Sequence, residues 1–370
     1  MNDTMMGVIN LIHEPDELDA LTATRCLATV PFGGRYRLID FTLSSMVNSG
    51  VSRVAVFAHT KYRSLMDHLG SGKNWDLHHR QSSLFILPPT ADDQSDVRRG
   101  DLYHFFQHRD YFARSRSDYV VICRSHMVCN IDLRDVLRSH KDSGADITAV
   151  VKRQNDSLTG KARKVAMDGD GRITVMQDHY GRLQSDLVSM EMYVMKKELL
   201  LDLVETSLAE GQDHLVRHAI TSRLAQLNVR GYLYDGYLGI VNTMASYYLN
   251  SMQLLRPAIW RALFFEPGPI FTKVKDEPPT RYMDGARTVH SLVANGCEIE
   301  GTVEGSILFR GVKVRKGAVI RNSIVMQNGI VGADSVLDHV ILDKEVTIEA
   351  ERRLSGMPEA PYVAKKRLIL

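Results

Sequence analysis

Short runs of β-branched and aliphatic residues alternate with stretches of helical apolar spacing from Met6 to about Leu238. That alternation predicts an α/β domain around a mostly parallel sheet. Residues 6–12, 51–57, 119–123 and 147–152 read as strands. Gly50 and Gly144 each close a helix-like stretch before a strand begins. Asp168-Gly169-Asp170-Gly171-Arg172 reads as a hairpin turn between residues 165–167 and 173–175. The same Asp/Gly cluster lacks the later ligands and the closing glutamate of a calcium loop.

Residues 246–263 carry a helical pattern, and Pro267, Pro269, Pro278 and Pro279 then mark a linker. Beyond it the periodicity changes. Val312, Ala318, Ile324, Ile330, Val336, Leu342 and Ile348 recur at six-residue intervals, with Gly311, Gly317, Ser323, Gly329 and Ser335 just before five of them. A small residue followed by an aliphatic one, every sixth position, predicts a left-handed parallel β-helix whose aliphatic side chains point inward. Val293 and Ile299 are out of phase by one, which predicts an irregular turn near Gly305. The expected organisation is an α/β domain over residues 1–245, a helix and Pro-rich linker over 246–285, and a β-helix over 286–370. The open ends of such a coil invite partner chains, and the histidines on it, His290 and His339, read as structural or solvated rather than as acyltransferase groups.

Composition narrows the function. The chain has 370 residues, 44% hydrophobic and 24% charged, with a net charge of +2. So small a positive balance argues against a nucleic-acid-binding surface, while leaving small anions as ligands. Cys26, Cys123, Cys129 and Cys297 have no paired short spacing and read as free thiols in a reducing cytosol. The Met1-Asn2-Asp3 start has no basic region, and no segment reaches membrane-spanning length, so a cytoplasmic protein is expected.

The block Val30-Pro31-Phe32-Gly33-Gly34-Arg35-Tyr36-Arg37 and the helix-like run through Gly50 resemble the start of the glucose-1-phosphate adenylyltransferase family. Val165-Ala166-Met167-Asp168, Ser189-Met190-Glu191-Met192-Tyr193, and the C-terminal runs through Met326-Gln327-Asn328 and Val340-Ile341-Leu342-Asp343-Lys344 extend the resemblance over almost the whole chain. It implies a nucleotidyltransferase-like, Rossmann-like domain followed by a left-handed β-helix.

Where the family carries its chemistry, this sequence departs from it. The family's first strand runs into a glycine-rich loop that holds a triphosphate, because backbone amides converge on phosphates only where side chains do not intervene. Here the stretch is His13-Glu14-Pro15-Asp16-Glu17-Leu18-Asp19, and no glycine occurs until Gly33. Leu27 stands at the family's lysine, while Arg25 matches its arginine. Ser125 and Ile240 stand at its two metal-binding aspartates, and Mg²⁺ needs oxygen ligands. Glu191 replaces a glycine at the sugar-phosphate end, where a carboxylate is expected to repel the substrate. The stretch Val97-Arg98-Arg99-Gly100-Asp101 keeps only the last carboxylate of the segment that lies against the nucleotide. Arg25, Arg35, Arg37, Arg98, Arg99 and Arg124 remain as groups that would gather around an anion in a divergent but active sugar-phosphate nucleotidyltransferase.

The resemblance extends to the family's shorter, non-catalytic regulatory type, which pairs with a catalytic glucose-1-phosphate adenylyltransferase chain in a heterotetramer of glycogen synthesis. It implies no catalytic residue, cofactor or metal on this chain, with ATP and Mg²⁺ held by the catalytic partner. A homo-oligomer of this chain alone is the other assembly expected. It also implies a small phosphorylated effector between the two domains, with Arg37, Lys344 and Lys313 as candidate contacts. Thr24 stands where some relatives have a further lysine.

Overall fold

A computed structural model describes residues 4–79, 82–89, 99–154, 161–178 and 181–370. The first strand, Met5–Asn10, is buried along its whole length because it lies inside the sheet with layers on both faces. It pairs in parallel with Arg53–Phe57 on one side and Tyr119–Cys123 on the other. Outside these, Ser83–Leu87 adds a parallel edge, while Leu187–Lys196 runs antiparallel between Tyr119–Cys123 and Ile147–Arg153. Gly7 sits where a Cβ would come 2.7 Å from the sulfur of Met46, so the glycine lets the helix Leu38–Asn48 press onto the sheet.

The Pro31–Arg37 block is a small hairpin, with Pro31 opposite Arg37 and Phe32 opposite Tyr36. Gly33 and Gly34 turn it with positive φ, and a Cβ on Gly33 would crowd the ring of Phe264 at 3.1 Å. Arg37 then begins the helix Leu38–Asn48, whose Asp40 carboxylate accepts from the Arg37 backbone N–H at 3.0 Å. The expected hairpin at Asp168 is present, between Lys164–Met167 and Ile173–Gln177. Its Asp168 carboxylate accepts from the N–H groups of Asp170 and Arg172, which uses it as a turn former.

The segment read as one helix is two, Met244–Gln253 and Pro257–Phe264, because Pro257 can start a helix but not continue one. Strand pairing along the coil begins at Arg281–Tyr282, earlier than residue 286. Three parallel five-stranded sheets wrap it, as a left-handed β-helix requires.

The coil does not keep a strict six-residue repeat. Lys313 lies opposite Ile330 and Ile330 opposite Thr347, so a full turn takes 17 residues and one face per turn is a residue short. The inward column is therefore Val314, Val331, Ile348 and, on the next face, Ile320 and Leu337, all buried. Ile330 and Val336 are only half-buried. One turn near the start of the coil is shorter still, with Arg287 opposite Thr302 and Glu298 opposite Lys313, each 15 residues on. That turn tightens at Gly301, where a Cβ would meet the Ala318 carbonyl at 2.3 Å, rather than at Gly305.

An aromatic and aliphatic core joins the two architectures. Phe32 and Phe41 from the first domain, Tyr247 and Phe264 from the linking helices, and Phe309 and Met326 from the coil belong to one buried cluster. Tyr247 donates to the Pro31 carbonyl at 2.8 Å and Tyr248 to the Asn322 carbonyl at 2.6 Å. No helix among the described residues is long and apolar enough to cross a membrane.

Candidate functional site

In a parallel sheet the ligand crevice lies beyond the carboxyl ends of the central strands. Here those ends are Asn10, leading to His13 and Glu14, and Cys123, leading to Arg124, Ser125 and His126. The Arg124 guanidinium donates to the carbonyls of Asn10 and Ile12 and lies 3.5 Å from Asp101. Asp101 also accepts from the Asn10 amide at 2.7 Å and from the Leu215 N–H at 2.7 Å. The chain leaving the first strand is thereby laced to the neighbouring strand through its own backbone.

Glu14 completes the closure. Its carboxylate accepts from the Ser125 N–H at 2.6 Å and from the Ser125 hydroxyl at 2.8 Å, and lies 3.4 Å from His126 Nδ1. Burial on its own raises the Glu14 pKa. The contacts with His126, Arg124 and Ser125 outweigh it, so the group is held below the ordinary carboxylate range. Where the family resemblance places a glycine loop over a metal-binding aspartate, this chain seats an internal carboxylate on a serine. Nothing in the spacing of the sequence links Glu14 to Ser125, which lies 111 residues away.

The other positions expected to mark this crevice fall around it. A cavity of about 270 Å³ is lined by His13, Glu14, Asp16, Arg25, Leu27 and Lys61, among others. Leu27 is buried in the cluster that holds Leu18 and Val30. Ile240 is buried in a two-residue strand opposite Met127, and the Val241 N–H donates to the His126 carbonyl; Ser125 lies in the bend just before that Met127–Val128 strand. Arg25 is committed elsewhere: its guanidinium forms a buried ion pair with Asp343 of the coil at 2.7 Å. Val97 and Arg98 lie outside the described residues.

Glu191 occupies a kink where the pairing of Leu187–Lys196 with Ile147–Arg153 slips between Ser189 and Tyr193. Its φ is +52°, the left-handed region that favours glycine, which accounts physically for a glycine at the matching family position. The Glu191 charge is not an open repulsive group, because the Arg163 guanidinium pairs with it at 2.6 Å and with Asp178 at 2.7 Å.

A second site lies between the domains. A cavity of about 350 Å³ is ringed by Arg35, Arg37, Lys273, Lys275, Arg310 and Lys344, with Asp67 and His68 also on its wall. Arg37 is anchored by donation to the Ser64 carbonyl at 2.8 Å, and Lys273 to the Asp67 carbonyl at 2.5 Å. Burial, and then the charges of Arg37 and Arg25, push Lys344 down to about 7. Burial likewise lowers Arg37 and Arg310. Cations held together at such a cost form a cleft suited to a compact polyanion. Arg37 and Lys344 thus meet in one cavity. Lys313 does not line it and pairs with Glu298 at 3.7 Å on the outside of the coil. Lys273, Lys275 and Arg310 were not marked by any motif, since the linker and the coil approach Arg37 only in the folded chain. Away from both sites, His339 pairs with Asp338 at 2.7 Å, and both His290 and His339 have positive φ.

Comparison with known proteins agrees with this fold. Residues 16–235 match the nucleotidyl transferase family and residues 278–359 the GlmU-like, C-terminal hexapeptide family. The chain is 40% identical over 368 residues to the glycogen biosynthesis protein GlgD of Bacillus subtilis, covering 100% of this chain and 97% of the relative. It is 43% identical to the protein of the same name from Geobacillus stearothermophilus, covering 99% and 97%. It is 31% identical to the glucose-1-phosphate adenylyltransferase of Thermotoga maritima, covering 82% and 73%.

Proposed function

From the premise that this chain belongs to the glucose-1-phosphate adenylyltransferase family, we propose that it is a non-catalytic regulatory subunit of glycogen synthesis. It assembles with a catalytic glucose-1-phosphate adenylyltransferase chain and tunes that chain's conversion of ATP and glucose 1-phosphate to ADP-glucose and pyrophosphate. ATP and Mg²⁺ are held by the partner.

The observation that carries this reading is the seat of Glu14 on Ser125. Nucleotidyl transfer stabilises charge developing on phosphate oxygens with cations and a metal. An anion fixed in that position, with Leu27 and Ile240 buried nearby, opposes the requirement on each count. The basic cleft of Arg37 and Lys344 supports the regulatory half of the proposal: a phosphorylated effector bound there bridges the α/β domain and the coil. Such a ligand shifts the partner's activity only by its differential affinity for the two states of the assembly.

Assaying the purified chain alone for pyrophosphate release from ATP and glucose 1-phosphate is the first test. Background rates are expected, and turnover comparable to an ordinary enzyme's would sink the proposal.

A further inference from the structure

The Lys73–Trp75 turn ends at Asp76, which has a φ of +56° and a ψ of +27°. Leu77 then points into the core at 2% exposure, while Asp76 and His78 are exposed. His79 exchanges backbone hydrogen bonds with Ser82 at 2.9 and 3.1 Å, which turns its side chain back towards Asp76. Asp76 Oδ1 lies 2.9 Å from His79 Nε2 and 3.9 Å from His78 Nδ1, and these three atoms all fall within 4.8 Å of one another. The two imidazole centroids are 3.8 Å apart.

The backbone beneath is fixed. Trp75 is buried, the Leu77 N–H donates to the Gly72 carbonyl at 3.1 Å, and a Cβ on Gly72 would meet the Leu77 carbonyl at 2.9 Å. Two imidazoles and one carboxylate, converging from a rigid turn with one side open to water, form a borderline-soft donor set. Such a set suits Zn²⁺ and disfavours Mg²⁺ or Ca²⁺, which require more oxygen ligands. We propose that Asp76, His78 and His79 form a surface Zn²⁺ site, with water completing the coordination.

Ligand distances of about 2.0–2.2 Å are reached by small side-chain rotations that bring His78 Nδ1 towards Asp76. Zn²⁺ takes an unprotonated ring nitrogen, so His79 ligates through Nε2 in the tautomer that carries its proton on Nδ1. The location is separate from both sites described above. It touches the anion cleft's surroundings through Trp75, whose ring lies edge-on to His68 at 5.7 Å.

The test is calorimetric titration of the untagged, full-length chain with zinc chloride, together with Co²⁺ titration followed by visible absorption. One tight Zn²⁺ equivalent per chain is expected, and added Zn²⁺ is expected to abolish the Co²⁺ absorption by displacing the cobalt. His78→Asn and His79→Gln are each expected to weaken binding about tenfold or more. Asp76→Asn, which preserves shape, is expected to weaken it in the same direction. Circular dichroism of each variant confirms that the exposed substitutions leave the fold intact. Absence of a stoichiometric Zn²⁺ equivalent, or binding unchanged in the two histidine variants, would overturn the proposal.

Discussion

At the scale of single residues, two charges decide what each site accepts. Glu14 satisfies two donors on Ser125 that would otherwise face the crevice. Glu14→Ala is expected to cost about 2–3 kcal/mol, the scale of buried donors left without a charged acceptor. Formate or acetate, by refilling the seat, is expected to raise the urea midpoint of that variant and not of the parent chain. A variant as stable as the parent and indifferent to anions would show that the seat contributes nothing. Because the folded Glu14 pKa is lowered from 4.5, its contribution is present above that value and is lost as pH falls through the folded one.

Lys344 behaves oppositely. Its folded value of about 7 lies below the unfolded 10.5, so stability declines as pH falls from 10.5 to about 7 and is level below. Anion binding restores the charge, so sulfate, whose own charge is constant over this range, is expected to bind about tenfold more tightly at pH 6 than at pH 8.5. His68 shares the cavity wall and is also lowered by burial. Lys344→Met therefore isolates the lysine: a pH profile as steep in that variant as in the parent would assign the effect to another group.

Among the elements, the joint between domain and coil rests on Arg25 and Asp343, each nearly inaccessible to solvent. Removing one partner strands a buried charge, so Arg25→Ala or Asp343→Ala is expected to lower stability by about 3–5 kcal/mol. The pair Arg25→Met with Asp343→Leu is expected to recover most of that loss, and simple additivity in a double-mutant cycle would contradict the coupling. The hairpin at Asp168 and the helix Leu38–Asn48 were legible in sequence because their turn residues and apolar spacing are local. The coil was legible in kind, and Val312, Ala318, Ile324, Leu342 and Ile348 are buried as the hexad count expects, but its full register was not. A six-residue count places Ile330 and Val336 inside, whereas a 17-residue turn drops one residue per circuit and brings Val331 and Leu337 inward. Ser125 and Ile240 could be located because each stands in a short stretch, beside His126 and ahead of Ser246-Tyr247, that the family resemblance aligns. Glu14, Lys273 and Arg310 could not, because their roles come from contacts between segments far apart in the chain.

For the whole molecule, the α/β domain, linking helices and coil share one core, and the cavity between Arg37 and Lys344 is walled by both architectures, as the proposed effector role requires. The first coil exposes Tyr282 and Val289, and the far end exposes Met357 and Ile369, apolar edges of the kind that a partner chain covers. The central claim is that this chain works through a catalytic partner. Its most direct test is to co-express it with a catalytic glucose-1-phosphate adenylyltransferase chain from the same organism, measure the mass of the purified assembly by light scattering, and compare pyrophosphate release with that of each chain alone. A single hetero-oligomer whose rate or effector response differs from the catalytic chain's own is the expected result. Two separately eluting species, with the catalytic chain's activity unchanged, would contradict it.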